Sequence, residues 1–159
     1  MAVESDEFRR ILGHWTTGVA VVATVTEHGE PRGLTANAVA SVSLEPRLVL
    51  ACIERGADTH GSILAAGCFS ISVLPQEAER TARRFAGEAT ESKFDGIAYH
   101  TGATGAPILD EALAWVDCRL HARHDAGDHT IFVGEVVAGD AHEAEPLVYY
   151  RGGYNRLAP

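Results

Sequence analysis

Between Thr17 and Tyr150 the chain returns repeatedly to short runs rich in Val, Ile, Ala, Thr and Phe, and most are separated by turns rather than long helices. This recurrence constrains the fold more than any other feature. Thr17 to Thr26 is Val- and Ala-rich with β-branched residues throughout, which predicts a buried strand. His28-Gly29-Glu30-Pro31 turns it, and Arg32 opens the return strand. From Gly33 to Ile53 a hydroxyl-rich half runs into a hydrophobic half with no helical period. Cys68 to Leu74 alternates apolar residues with Ser and is stopped by Pro75. Ala114–Ala122 and His129–Val137 read as strands joined by the turn Asp125-Ala126-Gly127-Asp128. Leu147 to Tyr150 supplies a last strand before the tail, and Ala98 to Leu109 reads as a Gly- and Thr-rich loop with a short strand.

Helices are few. Ser5 caps a short first one, whose Phe8, Ile11, Leu12 and Trp15 make one apolar face. Trp15 and Trp115 both read as core. Asp58 caps a helix over Thr59–Ala66 that Gly67 ends. Glu77 to Phe85 is helical, with Ala78, Ala82 and Phe85 on one face and Glu79 paired to Arg83. Gly87 to Ile97 is irregular. A mainly β fold follows: a closed or nearly closed antiparallel β-barrel with two or three short helices, rather than a doubly wound sheet. No GxGxxG follows a strand and no GxxxxGK[ST] occurs, so Rossmann and P-loop folds are disfavoured. With 159 residues, no repeat and no linker, residues 1–159 are expected to form a single domain.

Several function classes fall away. A net charge of −9 without any Lys/Arg run argues against nucleic-acid binding. No secretory signal is visible at the N-terminus, and no apolar run approaches the ~20 residues that span a bilayer. Cys52, Cys68 and Cys118 are odd in number and lack a C-x-x-C, as expected of reduced, mostly buried thiols in a cytoplasmic protein. Cys118, His121, His124 and His129 lie close in sequence. On a strand, however, Cys118 and His124 share a face while His121 points away, so no metal site is expected.

What remains is the donor-rich stretch. Thr35, Asn37, Ser41 and Ser43 occupy odd positions and share one face of an extended chain. Ala36, Ala38 and Ala40 between them let a ligand approach the backbone. Such a wall suits a flat, polar-edged molecule with a phosphate tail. Late in the chain, His129 follows a Gly-Asp turn at a strand start, where a side chain can face a pocket mouth, and Gly134 allows a bulge or a close ligand.

These residues resemble a known family, the short-chain flavin reductases, whose fold is the FMN-binding split barrel. Phe8-Arg9-Arg10-Ile11-Leu12-Gly13 with Thr17-Gly18-Val19 is similar to the family's opening. Gly33-Leu34-Thr35-Ala36-Asn37, with Ser41-Val42-Ser43 and Pro46-Arg47-Leu48-Val49, is similar to its flavin cradle. Lys93-Phe94 recurs in the middle, and Gly127-Asp128-His129 through Gly134 and Val136 resembles the G-D-H-x-x-x-x-G-x-V signature. The cradle usually reads T-A-N-S-F; here Ala38-Val39 replaces the last two residues, and Pro46-Arg47 stands where Pro-Pro is usual.

The resemblance implies an NAD(P)H-dependent flavin reductase that passes hydride from NADH or NADPH to FAD or FMN. The reduced flavin then leaves for a separate flavin-dependent monooxygenase. It also implies a homodimer. Carried over by position, Thr35, Ala36, Asn37, Ala38, Ser41, Val42 and Ser43 would line the isoalloxazine and ribityl part. Cys52, Ile53 and Thr59 would continue the pocket, with Phe85 and Lys93 closing it. Asp58 and Thr59 begin a helix whose free N–H groups suit a phosphate, with Arg55 the nearest compensating cation. His129 would position the nicotinamide, and Arg151 and Tyr154 are candidates for a second contact to it. The alternatives are a flavin-binding module without a nicotinamide site and, further off, an oxidase of the pyridoxine-phosphate type.

Overall fold

The computed structural model of the chain describes residues 2–87 and 92–158, so part of the irregular stretch 87–97 lies outside the described residues. One seven-stranded antiparallel sheet dominates. Its strands are β2 (Ala20–Val25), β3 (Pro31–Ala36), β4 (Val39–Leu44), β5 (Arg47–Glu54), β6 (Cys68–Val73), β9 (Ala114–Ala126) and β10 (His129–Ala141). They run in the order β3-β2-β6-β9-β10-β5-β4. The two edges, β3 and β4, are therefore successive in the chain, with only Asn37 and Ala38 between them. Two residues cannot bridge a flat seven-stranded sheet, so the sheet rolls until its edges approach. No ladder joins β3 to β4 among the described strands, which leaves a seam along one side. The result is a split barrel.

The predicted strand over 33–53 is thus three strands, broken at Asn37–Ala38 and at the β4–β5 turn. Thr17–Gly18 (β1) also separates from β2 and pairs with β11 (Val148–Tyr150), which in turn pairs with β12 (Gly153–Asn155). The loop at 98–109 contains a small hairpin, β7 (Tyr99–Thr101) with β8 (Pro107–Leu109). The β9–β10 hairpin is longer than its sequence pattern indicates, because both strands continue past the apolar runs that mark them.

Strand periodicity sorts the core into two. Ala20 and Val22 of β2 point into the barrel with Ala51, Ile53, Phe69, Ile71, Cys118 and Phe132. Val21 and Ala23 point the other way, against Leu74, Ala82 and Phe85. A strand covered on both faces has no reason to alternate, which explains the unbroken apolar run of β2. Ile63 of helix α2 (Asp58–Ala66) joins the interior cluster, while Ala82 and Phe85 of α3 (Glu79–Ala86) cover the outer face. A single 3₁₀ turn over Gln76–Ala78 precedes α3, where the sequence pattern predicts continuous helix.

Helix α1 (Ser5–Leu12) buries nothing within the chain. Phe8 and Trp15, read from the sequence as one core-facing stripe, are 56% and 75% exposed. The helical period is correct, but among the described residues that face stays largely exposed. Trp115 is half-buried rather than core, at the rim of an apolar cavity. No helix among the described residues is long and apolar enough to cross a membrane.

Candidate active site

The β5–β10 ladder decides which residues face outward beside the seam. Cys52 and Glu54 are two apart on β5 and share a face, and His129 sits directly opposite Glu54. Ile53, between them, points inward and is only 1% exposed. Its expected place in the pocket is therefore corrected: the strand period sends it to the barrel core. Cys52 N–H donates to Ala38 O at 3.0 Å, which brings the Asn37–Ala38 crossing alongside this outward patch.

Three further pieces turn the patch into a groove of about 1100 Å³. The first is β3 itself, an edge strand that pairs only with β2 and lines the groove from Pro31 to Ala36. The second is the N-terminus of α2, through Gly56, Ala57, Asp58 and Thr59. Ala57, not Asp58, is the N-cap, and no side chain caps the helix. His60 N–H donates to Ala57 O at 3.0 Å, which leaves the Asp58 and Thr59 N–H groups of the first turn for an anion. The third is the end of α3 with Lys93 and Phe94. Lys93 Nζ donates to Phe85 O at 3.0 Å, and Arg84 Nε donates back to Lys93 O at 2.8 Å. Gly33 makes this packing possible: a Cβ there would meet the Phe85 and Phe94 rings at 3.2–3.3 Å.

Of the residues singled out in the sequence, the groove gathers Thr35, Ala36, Asn37, Ala38, Cys52, Thr59, Phe85, Lys93 and His129. Thr35 does so with its proton committed, since its hydroxyl donates to Ala82 O at 2.6 Å and ties β3 to α3. The others lie elsewhere. Ser41 pairs with Val49, an odd number of residues from Cys52, and so faces a separate apolar cavity of about 390 Å³ shared with Trp115. Val42 and Ser43 do not line the groove either: they lie further along β4 toward the β4–β5 turn, past a bulge between Ser41 and Ser43, with Ser43 opposite Leu48, four residues from Cys52. Arg151 and Tyr154 sit on the small β1–β11–β12 sheet. There Arg151 N–H donates to Gly13 O, and Arg83 lies over the Tyr154 ring at 4.9 Å. Arg55 is paired with Asp125 at 2.9 Å and does not line the groove, so it is not the compensating cation.

The cations that do line it are Arg32 and Lys93, neither of which periodicity alone marks. Burial lowers the Lys93 ammonium from its ordinary range, with Asp58 pulling the other way. His129 Nδ1 lies 2.7 Å from Asp128 Oδ1. That hydrogen bond, with the charge of His129 behind it, holds the Asp128 carboxyl below the usual carboxylate range. With Nδ1–H donating to Asp128, Nε2 is left for a ligand.

The groove suits a flat, largely neutral molecule with an anionic tail. Its Asn37–Ala38 floor carries no charge, and a helix N-terminus opens beside it. The comparisons with known proteins agree. The sequence profile described as "Flavin reductase like domain" matches residues 12–158. The reductase subunit HsaB of a flavin-dependent monooxygenase from Rhodococcus jostii (strain RHA1) is 37% identical, over 99% of this chain and 80% of that protein. An NADH-dependent FAD reductase from Streptomyces globisporus is 39% identical, over 96% of this chain and 86% of that protein. Among solved structures, the Streptomyces globisporus C-1027 NADH:FAD oxidoreductase SgcE6 superposes with a TM-score of 0.92 at 37% identity, covering 100% of this chain and 98% of that one. On the agreement of profile, relatives and fold, the chain belongs to the family of flavin reductase-like domains.

Proposed function

We propose that this groove is the flavin site of an NAD(P)H-dependent flavin reductase, which supplies reduced FAD or FMN to a partner flavin-dependent monooxygenase. The observation that carries the reading is the opening of three features onto one groove: the uncapped α2 N-terminus, the neutral Asn37–Ala38 crossing and His129. Relatives named as the reductase subunit or reductase component of a monooxygenase support it, as does an SgcE6 structure described as in complex with NAD and FAD fragments.

Bound flavin supplies the chemistry by accepting a hydride from the reduced nicotinamide. The chain has to bind, orient and exclude water. The α2 amides would hold the phosphate, an interaction worth about 0.3–1 kcal/mol when exposed and more when partly buried. Backbone groups on the β3 edge and the Asn37 amide would hold the polar rim of the ring without placing a charge against it. Lys93, held on Phe85 O, closes the far wall. His129, oriented through Asp128, holds the nicotinamide end in place. In an aerobic assay, NADH or NADPH oxidation is expected to depend on added FAD or FMN. Flavin binding with no such oxidation would leave only a flavin-binding module.

Cys52 offers a test of the site that needs no turnover. Burial pushes its thiol up, so little thiolate is present at neutral pH and alkylation is slow. Because Cys52 lines the groove, saturating flavin is expected to slow Cys52 alkylation further. The Cys118 thiol, pushed up to about 12 inside the barrel, stays unreactive until the protein unfolds. Equal Cys52 labelling with and without flavin would move the ligand elsewhere.

The protein is further read as a homodimer in the cytoplasm. Phe8, Trp15 and Leu44 (87% exposed) present apolar surface that a second copy would cover. All three cysteines are free thiols, in keeping with a reducing compartment. Sedimentation is expected to give twice the mass of one chain. A fully active monomer at micromolar concentration would remove the dimer.

A further inference from the structure

We propose that His60 is a positioning residue for hydride transfer, which fixes the first turn of α2 against β10 and so sets where a bound flavin lies relative to His129. This rests on the reading of the groove as the flavin site. In that reading the two reactants are held by different elements. The Asp58 and Thr59 N–H groups that face an anion belong to α2, whereas His129 belongs to β10. A misplacement of about 1 Å between reacting groups can cost about a hundredfold in rate, so the registry of these two elements matters.

The β5–β10 ladder already fixes the backbone of His129, opposite Glu54. What it does not fix is α2, which leaves β5 through Arg55, Gly56 and Ala57. Three contacts among the described residues close that gap. Arg55 N–H donates to Asp128 O at 2.9 Å, at the tip of the β9–β10 hairpin. The Arg55 guanidinium pairs with Asp125, also at 2.9 Å. In the first turn of α2, His60 Nε2 lies 2.8 Å from Thr130 Oγ1. Asp125 and Thr130 are partners across the β9–β10 ladder, so both side-chain ties grip a single rung, next to the rung that carries His129.

The ties are not equal. Both Arg55 contacts hold the loop and leave the helix free to tilt. Arg55 and Asp125 are also open to water, at 47% and 78% exposure, where an ion pair contributes little. Thr130 is buried, and the His60 ring rests beside the wholly buried Phe132, with centroids 5.2 Å apart. A hydrogen bond shielded from water is the stronger restraint. His60 does not line the groove, so it acts through the helix and not on a ligand.

The experiment is anaerobic reduction of flavin bound to the purified full chain, followed at the flavin absorbance band with saturating NADH or NADPH. This reads the hydride step alone. Flavin titrations and thermal melts are run beside it. Thr130→Val removes the hydroxyl, keeps the shape and leaves the His60 ring on Phe132. It is expected to slow reduction by about tenfold, while flavin affinity and the half-saturating nicotinamide concentration stay within about twofold. Thr130→Ser keeps the hydroxyl and is expected to restore the rate. His60→Ala is expected to slow reduction at least as much, and adding Thr130→Val to it to bring no further loss, because the two changes remove one bond. A wild-type reduction rate in Thr130→Val, whatever its melting temperature, would make the bond a stability contact only. That result would overturn the proposal and leave the flavin site standing. A loss confined to flavin affinity, with the rate at saturation unchanged, would also overturn it. Wild-type protein that binds flavin but is reduced by neither nicotinamide would overturn the reductase reading and this proposal together.

Discussion

His129→Ala is expected to lower kcat/KM for the nicotinamide substrate by about tenfold to a hundredfold, the scale of a lost positioning contact, while flavin affinity stays essentially unchanged. The separation follows from the ladder. His129 stands opposite Glu54 on the outward face of β10, at the mouth of the groove. The α2 N-terminus and the Asn37–Ala38 crossing are on other elements and keep their geometry without it. If His129 only places the nicotinamide, KM rises alone; if it also sets the distance between the rings, kcat falls with it. Asp128→Asn is expected to produce a weaker version of the same phenotype. It removes the carboxylate that accepts from Nδ1 at 2.7 Å and lets the imidazole turn. Steady-state kinetics beside a flavin titration of each variant separate these outcomes. Unchanged kinetics in His129→Ala would return the residue to an ordinary surface position.

Gly134→Val is expected to cause the largest loss of stability. A Cβ at Gly134 would lie 2.6 Å from the Phe69 ring and 2.7 Å from Cys118 Cβ. Both neighbours are wholly buried inside the barrel, so neither can swing away. Overpacking of this kind costs about 1–3 kcal/mol, and a branched side chain takes the upper end or beyond. The melting temperature should fall by roughly 2–4 °C for each kcal/mol in a chain of this size. Gly61→Ala is the contrasting control. It sits within α2 with nothing within 4 Å of the added Cβ, and helix propensity predicts a gain of up to about 1 kcal/mol. Thermal melts of the two variants should therefore move in opposite directions. A Gly134→Val protein with the wild-type melting temperature would mean that the barrel interior yields there.

Gly134 also marks the limit of what local pattern can say. The sequence permits a bulge or a close contact at this glycine, and the structure has both: the β9–β10 register shifts between Val133 and Gly134, and Phe69 fills the space above it. Only the partner strand and a ring 65 positions earlier in the chain decide which matters.

The same division runs through the molecule. By itself the sequence determined the short strands, a turn before His129 (two residues, Gly127–Asp128, rather than the four read from 125–128), the helix that opens beside Thr59, and the motifs of the flavin reductases. All of these depend on residues within one turn or one strand of each other. Tertiary structure alone decided where the 33–53 stretch breaks, and hence that Cys52 faces the groove while Ser41 and Ile53 do not. The two-residue period of a strand is a local rule, but the break at Asn37–Ala38 and the bulge before Ser43 reset its parity. Tertiary structure also left the regular apolar stripe of α1 exposed. Burial requires a second surface, and periodicity names only the first.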